Sequence, residues 1–456
     1  MKRRRFIGTS LAAGLGGALG AGAVPVVPKG ELKPAAFKSL PEFIAGLTLE
    51  ELRDDYRDRL FKQFLPFWDK GGYDRELGGF MCLLNDDGTV CDDEKYIWYQ
   101  GRAVWVYSFL YNNFGKDERF LEIARKTRNF LVRYMRAGQG KWYERVYRDG
   151  RVKEGVSENI YGWMFAAHGL AEFYKAAGNP EDLELALESL HASVKTYDDP
   201  GYAGAVVWGN AISPDVFPKR GARDQGHSMV IIDFLANLLS HHPDAQLEKL
   251  LTQHMDLVLN KFWNPDFGVT NEWLMHDYTR IPGYEGHMYV GHCIETLWMI
   301  MHSSLLVRNG TIFYICKSRV RRFLEMAWDY VYGGCGDENF YVLDIPGHRL
   351  GPSYDVKTMW AECEILIACM TVLEYTGDIW AKEWYERTRE FTLRTIANTG
   401  IGVWRQAVDR YGENLVREGI SPFRKCNFHQ PRCLMQNILS LERMIKNNGK
   451  LTPFPL

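Results

Sequence analysis

Two histidines far apart in the chain sit in short contexts suited to moving a proton: Gly291-His292-Cys293-Ile294-Glu295 and Phe428-His429-Gln430-Pro431-Arg432. His292 and Glu295 are spaced i, i+3, and the apolar positions Ile294, Leu297, Trp298 and Ile300 predict a helix there. Ring and carboxylate then share one helix face. A carboxylate beside an imidazole can orient it and tune its basicity.

The rest of the chain limits what those histidines belong to. With 456 residues, 46% apolar and 14% aromatic, it buries a large core and lies far from the disordered class. Its 55 basic and 57 acidic residues are mixed along the chain and leave a net charge of -2, so the electrostatic footprint of a nucleic-acid binder is missing. The 14 Trp and 24 Tyr are what a carbohydrate site uses, since an aromatic face packs on the C–H face of a sugar and leaves its hydroxyls free. Most of these rings also have a plainer use as core.

The first residues read as a targeting signal. A basic stretch, Lys2 to Arg5, precedes Phe6 and Ile7, then a Gly/Ala/Leu run continues to Ala23, and Ala21-Gly22-Ala23 supplies small residues for cleavage. The pattern resembles a twin-arginine export signal over residues 1–23, followed by a linker over 24–44 and one catalytic domain over 45–450. The expected location is the periplasm, with membrane contact only through the signal segment if it stays uncleaved. The 9 cysteines, such as Cys293, Cys363 and Cys369, fall in apolar helical patterns and read as buried thiols. No Cys-x-x-Cys pair or His-Glu-x-x-His signature occurs, so no metal is expected.

Helical periodicity recurs near 49–69, 98–114, 118–137, 158–177, 182–197, 226–241, 244–262, 290–307, 318–332, 356–377, 380–397 and 428–446. Strand-like excursions fall between, at 79–84, 141–147, 268–273, 340–344 and 402–408. The period is roughly 60 to 70 residues per helical pair. Repeated about six times, such a unit closes into an all-α (α/α)6 barrel with short β-hairpin excursions in its loops. An open solenoid is the alternative, but the long, unequal loops suit a substrate pocket on one face of a closed ring.

Five motifs in order carry a likeness to a known family: Gly78-Gly79-Phe80, Trp98-Tyr99-Gln100-Gly101-Arg102-Ala103-Val104-Trp105, the His292 segment, Lys357-Thr358-Met359-Trp360-Ala361-Glu362-Cys363-Glu364, and the His429 segment. From about Leu49 to Met444 the chain resembles the N-acylglucosamine 2-epimerase family, which includes cellobiose 2-epimerases and aldose-ketose isomerases on an (α/α)6 barrel. The resemblance implies an acid/base pair in His292 and His429, an arginine near the sugar's carbonyl oxygen in Arg102, and supporting carboxylates in Glu295 and Glu364. Tyr99, Trp360, His227, Trp404 and Lys357 are carried as substrate-binding candidates. In the stretch Arg223 to Met229, where many relatives carry a further histidine, the register is ambiguous, and Ser228-Met229 is nearer the N-acylglucosamine branch.

The implied chemistry is physically coherent. Inverting a stereocentre beside a carbonyl removes the C2 proton of an open-chain sugar from one face and returns one to the other, and two opposed imidazoles do this near neutrality. Placed acid/base groups supply about 10²–10⁴ in rate, so a cation at the developing C1 oxygen is needed as well, which is the role read for Arg102. With no phosphate-binding loop in the chain, no cofactor is expected. The expected partner is a small reducing sugar, and a homodimer is common among such proteins. Two other readings stay open: a glycoside hydrolase or lyase using carboxylates such as Asp224 and Glu364, and a non-catalytic sugar-binding protein. His168 and His302 read as core histidines.

Overall fold

Two kinds of helix alternate along this chain, because two kinds of apolar pattern do. The structure, a computed structural model, describes residues 39–202, 220–282, 285–336, 338–340, 356–415 and 424–454. Helices α3 (Ile97–Asn113), α5 (Ile160–Ala177), α7 (Gln225–Leu239), α9 (Val290–Leu306), α11 (Met359–Thr376) and α13 (His429–Lys446) are buried over most of their surface. Each packs on the next, and α13 returns to α3 to close the ring. Outside them lie amphipathic helices: α1 (Leu49–Asp58), continued by α2 (Leu65–Lys70), then α4 (Glu118–Phe130), α6 (Pro180–Tyr197), α8 (Ala245–Asp256), α10 (Gly310–Ala327) and α12 (Ile379–Phe391). A helix apolar all round must sit inside and an amphipathic one at the surface, so the sequence itself sorts inner from outer for all but α13, which is amphipathic and takes its inner place by packing on α11 and α1. The expected (α/α)6 barrel is the fold observed.

Helix starts are written in capping residues. Thr48 opens α1 with a capping box to Glu51, and the side chains of Asp117, Asn159, Asn179, Asp224, Asp244 and Asn309 accept backbone N–H groups at the starts of α4 to α8 and α10. Two expected boundaries shift. The helix expected over 318–332 runs instead from Gly310, capped by Asn309, to Ala327, because Trp328 and Asp329 leave it for a turn. The helix expected from 356 begins at Met359, because Val356–Thr358 pairs as a strand with Ala407–Asp409.

Two buried staples at separate points of the ring hold these turns. Lys95 Nζ bonds Asp74 Oδ2 at 2.9 Å, the Gly78 carbonyl at 2.6 Å and the Arg148 carbonyl at 3.2 Å, while Arg148 Nε meets Asp74 at 2.8 Å. Lys357 Nζ bonds Asp329 Oδ2 at 3.1 Å, the Gly333 carbonyl, and the Arg410 carbonyl at 2.9 Å, while Arg410 Nε meets Asp329 at 3.0 Å. Each lysine lies 53 positions before its arginine, so these are two copies of one device. Gly78 and Gly333 sit at φ 78° and 80°, a left-handed backbone that favours glycine.

The expected strand at 141–147 is present as Lys141–Val146. That at 268–273 is broken into Val269–Thr270 and Trp273–Leu274. Most of 340–344 lies outside the described residues. Ser39 pairs with Lys450; the signal at 1–23 and most of the 24–44 linker lie outside the described residues. Every one of the nine thiols is free, and all but Cys91 are buried.

Candidate active site

Short strands deliver the chain to the starts of several inner helices, at Lys95–Tyr96, Arg223–Asp224, His287–Tyr289 and Val356–Thr358. The first turns of the inner helices therefore meet around one opening. Trp98, Tyr161, Asp224, His292, Trp360 and His429 all lie at or within a few positions of a helix start and line a cavity of about 350 Å³. One turn deeper come Arg102, Phe165, Met229, Val230, Glu295 and Arg432.

His292 and His429 both line this cavity, with the Trp360 ring 5.2 Å from one and 5.7 Å from the other. Each is pinned through Nδ1, leaving Nε2 for chemistry. His292 Nδ1 lies 2.6 Å from Glu272 Oε1 and His429 Nδ1 2.8 Å from Glu364 Oε1. A carboxylate accepts from Nδ1–H and so sets the tautomer, with any further proton on Nε2; at His429 the Glu364 contact at 2.8 Å outweighs Arg432 Nη2, which lies 3.3 Å from the same Nδ1.

The two rings differ in charge. Burial alone would depress the His292 pKa, but the Glu272 carboxylate, with Glu295 and Asp224 beyond it, overrides burial and raises it to about 9. Near neutrality His292 is an imidazolium with Nε2–H to give. His429 goes the other way: burial lowers it well below the usual histidine range, and Arg102 and Arg432 reinforce the effect against Glu295. It presents a bare Nε2 lone pair.

Glu364 is fully buried and accepts from Trp298 Nε1 at 2.8 Å as well as meeting His429 and, at 2.7 Å, Arg432. Arg432 also pairs with Glu295. Glu295, Glu364 and His429 bring ligand atoms within 4.8 Å of one another, as a cation site does, and the cation among them is this guanidinium. Arg102 lies over Phe165 at 4.0 Å and Phe428 at 4.8 Å and lines the cavity. Among the described residues it has no ion-pair partner and its Nε has no hydrogen bond, so its charge is available to a ligand.

Several expectations need revising. The i, i+3 partner Glu295 does not orient His292; Arg432, arriving from α13, takes Glu295, and Glu272 takes the ring. Tyr99 is not in the cavity lining: its ring packs on Tyr96 and its carbonyl accepts from Asn427. His227 is fully buried behind the cavity wall, with Nε2 3.3 Å from Asn159 Oδ1 and its ring edge-on to Tyr161. Trp404 lines a separate groove with Lys62 and Gly402. Lys357 is the core of a staple. His168, read as core, lines the cavity, whereas His302 bonds Thr371 at 3.2 Å. The carboxylate pair of the hydrolase reading loses Glu364, whose oxygens are committed to Trp298, His429 and Arg432.

Sequence reasoning missed Glu272, which sits between short strands with no motif around it, and named Arg432 only as part of the His429 segment. Asp224 and Asp233 also line the cavity, and burial raises each carboxyl to about 7, with Glu272 next in effect at Asp224 and Arg432 opposing at Asp233.

Comparison with known proteins gives the family and the fold. Residues 78–430 match the family model of N-acylglucosamine 2-epimerase (GlcNAc 2-epimerase). The N-acylglucosamine 2-epimerase of Mus musculus is 27% identical over 86% of this chain and 92% of its own length. The cellobiose 2-epimerase of Bacteroides fragilis is 22% identical over 85% of this chain and 98% of its own. Among solved structures, the cellobiose 2-epimerase from Bacillus thermoamylovorans B4167 superposes with a TM-score of 0.72 at 20% identity, covering 86% of this chain and 99% of that one, which shows the shared fold. The chain belongs to the N-acylglucosamine 2-epimerase family.

Proposed function

We propose that this chain is a sugar 2-epimerase or aldose-ketose isomerase that moves the C2 proton of an open-chain reducing sugar with His292 and His429. The observation that carries the reading is the pair of imidazoles in one cavity, each fixed through Nδ1 and held in opposite charge states. His429 takes the C2 proton on its Nε2 lone pair. The electron pair left behind forms the C1–C2 double bond and places charge on O1, where Arg102 meets it. His292 returns a proton from Nε2 to the other face of C2. Glu272 and Glu364 hold ring orientation and tautomer, and Trp360 offers a face for the sugar's C–H surface.

Charge balance supports a neutral substrate. Asp224 and Asp233, raised to about 7, are only partly ionised near neutrality, and the carboxylates Glu272, Glu295 and Glu364 are faced by His292, Arg102 and Arg432. Among the described residues that line the cavity, no surplus cation is left to attract a phosphosugar or a sugar acid.

Incubation with a panel of reducing sugars in D2O tests the reading. Deuterium at C2 together with a changed configuration or a ketose is the expected result, and a panel that returns only unlabelled sugars would refute it. The twin-arginine pattern supports export to the periplasm; cell fractionation should find the protein there, and retention in the cytoplasm would contradict it.

A further inference from the structure

Along the faces that inner helices turn to the cavity, side chains fall into layers one turn apart. On α5 these are Tyr161, Phe165 and His168; on α9, His292, Glu295 and Met299. The reacting histidines occupy the outer layer. The innermost layer holds a polar pair that the proton transfer does not use.

Asp233 Oδ2 lies 3.6 Å from His168 Nδ1 and 3.7 Å from Arg432 Nη1. Both separations exceed a hydrogen bond. His168 is only 4% exposed, and its Nε2 is buried without a hydrogen-bond partner. Around them stand Met164, Met229, Val230 and Met299, which offer nothing polar. A buried polar group left unpaired costs about 1–3 kcal/mol, so the unpaired His168 Nε2, on a ring beside a carboxyl that is 20% exposed and has no hydrogen bond among the described residues, points to a missing polar atom.

The charge states say which kind. Burial lifts the Asp233 carboxyl to about 7 against the pull of Arg432. Burial, with Arg432 adding to it, lowers the His168 imidazole to about 3. A carboxyl protonated up to about pH 7 and a neutral imidazole each offer both a donor and an acceptor. A hydroxyl, itself donor and acceptor, satisfies both. An anion, which only accepts, would leave the acceptor atoms unmet, and Arg432 is already taken by Glu295 and Glu364.

We propose that Asp233 and His168 form a hydroxyl-binding subsite at the inner end of the cavity, which grips a neutral sugar at C3, C4 or C6 and thereby selects the sugar that is turned over. The inference rests on the reading of the site as a sugar C2 proton-transfer centre. A site built to bond a hydroxyl rejects the analogue lacking it far more strongly than an apolar pocket rejects a missing methylene.

The test compares C2 deuterium exchange for D-glucose, D-mannose and N-acetyl-D-glucosamine with that for their 3-, 4- and 6-deoxy forms, in the wild type, Asp233→Val, Asp233→Asn and His168→Phe. Expected in the wild type is a loss of about 10²-fold or more in kcat/KM for one deoxy position, the other two staying within about threefold. In Asp233→Val and His168→Phe the parent sugar falls by a similar factor, and the penalty for that deoxy position shrinks to under about threefold. Asp233→Asn, whose amide still bonds a hydroxyl, keeps part of the discrimination and guards against a folding artefact, as does a melting curve for each variant. Equal penalties at all three positions, or a penalty unchanged in Asp233→Val, overturn this inference alone. A wild type that exchanges C2 in none of the sugars overturns the reading of the site and this subsite with it.

Discussion

His292 and His429 begin as the same device: each stands in the first turn of an inner helix, each gives Nδ1–H to a buried glutamate, and each lies against Trp360. They end in opposite states because burial is answered at one and not at the other. At His292 the Glu272 carboxylate, with Glu295 and Asp224 beyond it, overrides burial; at His429 burial prevails over Glu295, with Arg102 and Arg432 adding to it. A carboxylate partner therefore does not by itself make a histidine basic. The balance of burial and surrounding charge decides, and here it makes an acid of one ring and a base of the other.

The largest break in that comparison comes from removing either ring. His429→Asn and His292→Asn should each lower the epimerisation rate by about 10²–10⁴, with the fold kept, as read by product formation and circular dichroism. Arg102→Met should cost about 10²–10³ in kcat with a smaller change in KM, because the charge it meets develops in the transition state. Loss confined to KM would place Arg102 in ground-state binding instead.

Glu272→Gln sharpens the comparison through pH. As a proton donor with a pKa of about 9, His292 keeps kcat/KM flat up to that region, and activity falls as pH rises through it. Removing the carboxylate removes what raises the pKa, so the alkaline limb should move to lower pH. An unmoved limb would mean that Glu272 does not set the charge of His292. The smallest effect is expected at His227, screened from the cavity by Tyr161: His227→Phe should change kcat/KM by less than about threefold.

Much of the ring was legible because its signals are local. Apolar-all-round segments such as 160–177 and amphipathic ones such as 118–130, opened by Asp117 or Asn159, declare inner and outer helices without any partner. His292, His429, Arg102, Glu364 and Trp360 lay in motifs that resemble the family. What stayed hidden depends on contacts between helices. Glu272 becomes an orienting group only when the Trp273–Leu274 strand pairs with Arg223–Asp224 beside α9. Lys357 looked functional within its motif, yet only the turn at Asp329 to Gly333, distant in sequence, shows it to be a staple. His168 has the local context of a core residue, and its place on the cavity wall follows from where α5 faces α7.

The opposition of two faces is tested most directly by offering each C2 epimer separately to His292→Asn and to His429→Asn in D2O and following loss of the C2 hydrogen. If the imidazoles serve opposite faces, each variant should exchange only one epimer, and not the same one, with the His429→Asn reaction quickening as pH approaches about 9 and His292 loses its proton. A variant that exchanges both epimers, or two variants that exchange the same one, would show that a single base works on one face and would contradict the account.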